Sequence, residues 1–252
     1  MKDQLTMSCI NLYAVLQNME NLVELDRDAK LLIENAEIAI QFAVRGGPAA
    51  LLSFENGRCR LQKGKGRSNI SLYFTSPEHL NKMFGGKANP IPLKGLTKTG
   101  FLKNEFTKLT DRLTYYLKPT DELLKNPEYL RINTILTANT AFFALAEIGN
   151  NDVLGRLNAG RIPDGDINVS ILGEGPSLHL KARKGRLEAV KGASSAPRAI
   201  MSFADIEAAN GMLNGKVDAY TCIASGTIQM KGFLPMLDHM NKLLSQVPEY
   251  LK

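Results

Sequence analysis

The positions of hydrophobic residues follow the same course twice along the chain. In each half, a stretch with apolar residues at helical spacing precedes a stretch in which apolar and polar residues strictly alternate. Alternation with a period of two predicts a β-strand with one buried face. The alternating stretches are Ile38–Val44 in the first half and Ile167–Ile171 in the second.

Four further strands follow in the same order in both halves. A Gly-Pro turn leads to the second strand, and a tight turn at Asn56-Gly57 or Lys184-Gly185 returns the chain as the third. Asn-Gly between apolar stretches is a strong hairpin signal. The predicted second to fifth strands are Ala50–Phe54, Arg58–Gln62, Ile70–Phe74 and Leu93–Leu96, and then Ser177–Ala182, Arg186–Val190, Arg198–Met201 and Thr227–Met230.

A helix with a recognisable start follows the fourth strand in each half. Thr75-x-x-Glu78 and Ser202-x-x-Asp205 both fit a capping box, in which a hydroxyl and a carboxylate satisfy free N–H groups. In the first half, Ser76 is the competing cap, because proline is favoured at the first helical position. A final helix with an apolar stripe, near residues 101–117 and 233–247, ends each half.

Short anchors repeat between the halves at nearly constant spacing. Gly47-Pro48 matches Gly175-Pro176 at an offset of 128, and Gly100-Phe101-Leu102 matches Gly232-Phe233-Leu234 at 132. We therefore predict an α+β chain of two tandem copies, each a five-stranded, mainly antiparallel sheet covered on one face by helices. The expected boundaries are 1–118 for the first and more divergent copy, 119–128 for the linker and 129–252 for the second copy.

The second half resembles the sterol carrier protein type 2 family. The resemblance lies in the segments Ile200–Asp205, Asn214–Asp218 and Gly226–Gly232. They match a capped helix, a Gly-Lys turn and a strand that leads into the last helix. The first half departs from this pattern, because Pro90 and Pro92 interrupt the stretch before its last strand, which predicts a shortened or edge strand.

The resemblance implies a carrier that holds an apolar ligand in a tunnel between helices and sheet, with no cofactor, metal or catalytic residue. The implied ligands are fatty acids, acyl-CoA, sterols or isoprenoids. We expect the tunnel to be lined by residues on the inward faces of the capped helix, the last strand and the last helix. In the second copy these are Phe203, Ile206, Met212, Leu213, Ile223, Ile228, Phe233, Leu237 and Met240, and in the first Phe74, Leu80, Met83, Phe84, Leu96, Phe101, Leu102 and Phe106.

Composition and charge add little to this interpretation. The chain has 252 residues, 44% of them hydrophobic, with nine methionines and no tryptophan. Residues 1–126 carry a net charge of +5 and residues 127–252 a net charge of +1. The excess at Arg58, Arg60, Lys63, Lys65 and Arg67 is compatible with transient contact with an anionic membrane, although a solvated hairpin is the favoured reading. No aromatic residue lies between Phe54 and Tyr73, which argues against a nucleic-acid surface.

Several functional classes are disfavoured by missing motifs. Three distant cysteines and three scattered histidines fit neither a disulfide scaffold nor a metal site. No signal peptide or membrane-spanning stretch is recognisable, and the chain does not end in a peroxisomal Ser-Lys-Leu signal, so a cytoplasmic location is expected. The leading hypothesis is a non-catalytic lipid carrier. The alternatives are an accessory module for a partner enzyme of lipid or quinone metabolism and an enzyme acting on an acyl substrate.

Overall fold

The chain folds into two compact units, residues 1–118 and 119–252, in a computed structural model that describes residues 2–95 and 99–251. The elements of unit 1 are α1 (Gln4–Ile10), a π-helical segment (Asn11–Leu16), α2 (Asn18–Leu25), α3 (Arg27–Leu32), β1 (Ile38–Val44), β2 (Ala49–Glu55), β3 (Arg58–Lys63), β4 (Ile70–Phe74), α4 (Pro77–Phe84), β5 (Ile91–Lys94), α5 (Thr99–Phe101), a second π-helical segment (Leu102–Phe106) and α6 (Thr107–Leu117). Unit 2 contains a 3₁₀ turn (Leu123–Lys125), α7 (Pro127–Asn151), α8 (Val153–Ala159), β6 (Gly165–Ile171), β7 (Ser177–Arg183), β8 (Arg186–Lys191), β9 (Ala199–Phe203), α9 (Ile206–Leu213), α10 (Ala219–Ala224), β10 (Ile228–Gly232), α11 (Leu234–Leu244) and α12 (Val247–Leu251).

Both units contain a five-stranded sheet with the same topology. The strand order is β3-β2-β1-β4-β5 in unit 1 and, read in the matching direction, β8-β7-β6-β9-β10 in unit 2. The first and fourth strands of each sheet run parallel, and the other neighbouring pairs are antiparallel. The predicted α+β class is therefore confirmed, and the sheets are mixed.

One face of each sheet forms the core. In unit 1, Ile40 is paired with Leu52 on β2 and with Ile70 on β4, and all three side chains are buried. Residues of the last helical stretch lie over this inner face, since the Phe106 ring centroid is 6.4 Å from that of Phe42. Burial of each large apolar side chain stabilises the fold by roughly 1.5–3 kcal/mol.

The opposite, outer face is partly covered by the connection between the third and fourth strands. This connection must cross the sheet, because the second and first strands lie between the third strand and the fourth. Gln41 on β1 holds the connection in unit 1, since its Oε1 accepts from Gly66 N at 2.9 Å and its Nε2 donates to Gly64 O at 3.1 Å. Asn168 on β6 does the same in unit 2, with Ser194 N at 2.9 Å and Ser194 O at 3.0 Å.

Asp166 reinforces this contact in unit 2. It accepts a hydrogen bond from Ser194 Oγ at 2.6 Å and pairs with Arg183 Nη2 at 2.7 Å. The hydrogen bond from Ser194 and the charge of Arg183 hold the pKa of Asp166 below its ordinary value. The stabilisation from this carboxylate is therefore present at neutral pH and is lost as the pH falls through the lowered pKa.

A carboxylate joins the beginning of each unit to its end. Asp26 caps α3 by accepting from Asp28 N and Ala29 N, and it also binds Arg112 on α6, with Nε at 2.7 Å and Nη2 at 2.6 Å. Burial and the nearby Asp26 raise the pKa of Tyr116 to about 12. Asp152 caps α8 in the same way and accepts from the Tyr250 hydroxyl on α12 at 2.8 Å.

The helix caps partly differ from the prediction. Ser76 caps α4, accepting from His79 N at 3.1 Å, so the alternative cap in the first half is the one used. In the second half the predicted capping box is wrong, because Asp205 is the cap and accepts from Ala208 N at 2.7 Å. Ser202 still belongs to β9, where its Oγ lies 3.1 Å from Ser170 Oγ.

The last strands also shift the alignment of the two halves. Gly95 follows β5 and Gly232 is the last residue of β10, and both have a positive φ, +86° and +85°. A Cβ on either glycine would overlap a backbone oxygen before the fourth strand, of Asn69 or Arg198. Gly232 therefore corresponds to Gly95 and not to Gly100. The strand predicted at Leu93–Leu96 is observed at Ile91–Lys94 as a four-residue edge strand.

Replacing Arg112 tests the strength of the contact at Asp26. Arg112→Met leaves a carboxylate that is only 3% exposed without its cation, so we expect the free energy of unfolding to fall by about 3 kcal/mol. Urea unfolding measures this loss. In the control Lys242→Met, the exposed Lys242–Asp238 pair is removed, and less than about 1 kcal/mol should be lost. Equal losses in the two variants would contradict the role of Asp26.

Candidate functional site

The predicted lining residues of unit 2 lie on elements that surround the inner face near β10. α9 packs against β9 and α10, while α11 packs against β9, β10 and α7. The sheet is therefore the floor of the candidate site, α9 and α10 form one side, and α11 lies over it.

The nine residues predicted for unit 2 fall into three groups by exposure. Phe203, Ile228, Leu237 and Met240 are at most 4% exposed and belong to the core. Three residues of the capped helix are half-buried: Ile206, Met212 and Leu213. Ile223 and Phe233 are exposed, at 41% and 42%.

Met230 shows that the inner face is incompletely covered at β10. It pairs with Met201 and lies on the same side of the strand as Ile228, which pairs with the fully buried Phe203. Although Met230 points toward the helices, it is 36% exposed. Val217 and Leu234 are also exposed, at 38% and 56%, on neighbouring segments. Val217 and Ile223 before β10, Met230 on it, and Phe233 and Leu234 directly after it are the large exposed apolar residues on these elements, and they are called the rim below.

Three of these rim residues were missed by the sequence analysis. Met230 alternates with Ile228, and this spacing assigns it to the inner face, but nothing in the spacing shows that the helices leave it uncovered. Val217 and Leu234 lie at helix boundaries, where apolar periodicity carries no signal. The helix α10 itself was not predicted.

The predicted residues of unit 1 show a similar division. Phe74 and Leu80 are fully buried, and Leu96 lies outside the described residues. Both apolar residues of β5, the counterpart of β10, are exposed, Ile91 at 41% and Leu93 at 64%. The remaining predicted residues are half-buried: Met83, Phe84, Phe101, Leu102 and Phe106.

Phe101 and Phe106 lie on the floor of unit 1. The Phe101 ring packs against Phe54, with ring centroids 5.4 Å apart, and the Phe106 ring packs against Phe42, with centroids 6.4 Å apart. Residues five apart diverge on an α-helix of 3.6 residues per turn. The segment between them is π-helical, and its wider turns align both rings with the sheet. Because both rings remain half-buried, they add apolar surface to the interior without closing it.

A pair of asparagines, buried in unit 2 and partly buried in unit 1, fixes the capped helix in both units. Asn11 Nδ2 donates to Asn81 Oδ1 at 3.0 Å, and Asn210 Nδ2 donates to Asn133 Oδ1 at 2.7 Å. Each pair joins the N-terminal helical stretch to the capped helix. Sequence reasoning missed these pairs, because their partners are 70 and 77 residues apart.

Neither His79 nor His179 contributes to this site. His79 packs against Phe74 and contacts Asn89 O at 2.9 Å, and His179 Nδ1 lies 2.7 Å from Gly192 O on the outer face. Within residues 2–95 and 99–251, no group of three or more acidic, cysteine or histidine side chains could hold a metal. In the same ranges, no helix has the length and apolarity needed to cross a bilayer. The predicted side chains that border the candidate site in unit 2 are apolar.

Known structures resemble this chain over about the length of one unit. A UbiJ-SCP2 ubiquinone synthesis protein has 15% identity and a TM-score of 0.35, and the match covers 44% of this chain and 95% of that one. A sterol carrier protein domain of Helicoverpa armigera has 14% identity and a TM-score of 0.36, covering 46% and 91%. The alkylsulfatase Pisa1 from Pseudomonas has 13% identity and a TM-score of 0.33, covering 58% of this chain and 28% of the enzyme. No family model and no curated protein sequence matches the chain.

Substitutions can separate the rim from the core of unit 2. Ile223→Ser removes a side chain that is already 41% exposed and should change the free energy of unfolding by less than about 1 kcal/mol. Leu237→Ala removes a side chain that is 2% exposed and should cost about 2–5 kcal/mol. Chemical denaturation of both variants measures the difference. A large loss in Ile223→Ser would show that the rim is structural core.

Proposed function

We propose that the chain binds an apolar, lipid-like ligand between the helical layer and the inner face of the sheet, without a catalytic group. The observation that supports this most directly is Met230, an inward-pointing side chain of β10 that remains 36% exposed. A folded domain gains stability by covering such a side chain, so its exposure fits a site that a ligand completes.

The energy of such a site comes from the exclusion of water. Each methylene group that is buried contributes about 0.8 kcal/mol. A chain of about twelve carbons then gains enough to offset the cost of ordering and to bind in roughly the micromolar range. Met212 on α9 and Met230 on β10 suit this role, because their flexible side chains adapt to irregular shapes. The ligand classes that we propose are fatty acids, acyl-CoA, sterols and isoprenoids.

The surface of unit 1 allows ligand exchange at an anionic membrane as part of this proposal. Arg58 and Arg60 project from the edge strand β3, and Lys65 and Arg67 follow it; all four are exposed. Lys63 lies over the Tyr13 ring at 4.4 Å. Such a group attracts anionic headgroups over about 8 Å at physiological ionic strength.

A matched pair of substitutions tests which unit loads a ligand. Phe84 and Leu213 are the last residues of α4 and α9, at equivalent positions, and both are half-buried. Leu213→Arg places a charge in the opening of unit 2, and we expect uptake of a fluorescent long-chain fatty acid to weaken at least tenfold, about 1.4 kcal/mol. Phe84→Arg tests unit 1 in the same assay.

Circular dichroism and thermal unfolding show whether the two variants remain folded. Loss of uptake in one variant assigns the ligand to that unit, and loss in both assigns it to both. Native mass spectrometry of gently purified protein provides an independent measurement, since a loaded carrier retains lipid. Unaltered uptake in both variants, or a wild-type protein that takes up no probe, would contradict the proposal.

An accessory role is the second candidate, and α8 favours it. Val153 and Leu154 lie about one turn before Leu157 on this helix, and the three are 67%, 64% and 59% exposed. Three such neighbours on one short helix are unusual on a protein surface that contacts only water. In this proposal α8 docks on a partner enzyme of lipid or quinone metabolism.

The double variant Leu154→Ser/Leu157→Ser tests this second role. If α8 is a docking surface, cross-linking in extracts of the cells that make the protein should recover a partner with the wild type and lose it with the variant. Leu31→Ser is the control, because Leu31 occupies the position of Leu157 on α3 and is also exposed, at 56%. A partner that is retained equally by all three proteins would exclude α8 as the docking site.

A further inference from the structure

One polar residue interrupts the sheet-facing stripe of α7. Ile135, Asn139, Phe142 and Ala146 recur at intervals of four, three and four residues, which places them on one helix face. All four are at most 8% exposed, and Asn139 is 4% exposed. An amide therefore occupies a position where the spacing calls for an apolar side chain.

The direction of this face follows from Asn150, further along the same helix. Asn150 binds the β8 edge through both amide atoms, since its Nδ2 donates to Leu187 O at 2.7 Å and its Oδ1 accepts from Leu187 N at 3.0 Å. Asn139 precedes Asn150 by eleven residues, which is slightly more than three full turns. The Asn139 side chain therefore faces the same way as Asn150, toward the inner face of the sheet, which is the side on which the candidate ligand site lies.

The amide of Asn139 is only half satisfied. Its Nδ2 donates to Ile135 O at 2.8 Å, which fixes the orientation of the amide. Its Oδ1 is buried and has no hydrogen-bond partner among the residues that the structure describes. An unsatisfied buried acceptor is costly, so a partner from outside the chain would be stabilising.

The corresponding helical stretch of unit 1 differs in this respect. Two of its polar side chains bind the sheet: the Tyr13 hydroxyl donates to Ala49 O on β2 at 2.9 Å, and Glu20 accepts from Leu61 N on β3 at 2.7 Å. These polar groups of unit 1 are thus satisfied by the protein itself. The acceptor left open in the interior of unit 2 makes the two units chemically different.

We propose that Asn139 Oδ1 anchors the hydroxyl group of a neutral apolar ligand bound in unit 2. The inference rests on the proposed function and adds a ligand class to it. An acceptor selects a donor, and a hydroxyl donates, whereas an ether, an ester or an ionised carboxylate has no hydrogen to give. A second buried nitrogen without a partner in the described part of the chain, His239 Nδ1, lies on α11, which packs against α7 and β9.

The test compares two isomeric ligands, of which only one carries a hydrogen-bond donor. 1-Dodecanol and undecyl methyl ether are used to displace a pyrene-labelled alkane from the wild type, Asn139→Leu and Tyr13→Phe. In the wild type, the alcohol should compete about tenfold more strongly than the ether, the worth of one buried hydrogen bond. Asn139→Leu should abolish this preference and raise the melting temperature of the unliganded protein, because the open acceptor is gone. Tyr13→Phe removes a hydroxyl from unit 1 and should leave the preference unchanged.

The outcomes separate this inference from the broader proposal. Equal competition by alcohol and ether in the wild type would overturn the anchor while leaving apolar binding intact, as expected if an ordered water satisfies Asn139. A preference that survives in Asn139→Leu would also overturn it. If the pyrene probe itself does not bind to the wild type, the proposed function fails first.

Discussion

The parallel pairing of the first and fourth strands constrains the rest of each unit. A parallel neighbour cannot be reached by a tight turn, so the chain must travel from the edge strand across the sheet. It does so over the outer face, where Gln41 or Asn168 holds the connection against the central strand. The inner face is then left to the helices, and any apolar interior must lie on that side.

The contact that joins the end of each unit to its cap carboxylate is stronger in unit 1 than in unit 2. In unit 1 the last helix is tied to Asp26 by a two-point guanidinium contact and by the neighbourhood of Tyr116. In unit 2 the tie is the hydroxyl of Tyr250 on Asp152, and it is made by α12 rather than by the helix over the sheet. The interior polar groups differ in parallel, since Tyr13 is satisfied and Asn139 Oδ1 is open. Both contrasts point to unit 2 as the more adaptable half.

Local signals in the sequence were sufficient for the strands and hairpins but not for the site. The turns at Asn56-Gly57 and Lys184-Gly185 need positive φ, which marks them in the sequence and in the backbone alike. Alternation likewise assigned the inner faces. Exposure of Met230, by contrast, depends on where α10 and α11 stop, and the Asp26–Arg112 contact joins residues 86 apart. Such long-range contacts cannot be read from the spacing of residues in the sequence. An alignment by glycines alone therefore matched Gly232 to Gly100 instead of Gly95.

The asparagine pairs hold the capped helix of each unit more firmly than the last helix is held. Moving α9 away from α7 would separate Asn210 from Asn133 and leave buried amides unpaired, at a cost of about 1–3 kcal/mol for each group. In the described residues of unit 2, the comparable contact that α11 makes lies at its N-cap, where Phe233 N donates to Arg198 O at 2.9 Å and the Arg198 guanidinium lies over the Phe233 ring. A bulky ligand would therefore be accommodated by movement of α11, while α9 stays in place. The movement of α11 would then determine which ligand widths are accepted. The fixed helix α9 would determine which chemical groups of the ligand are accepted.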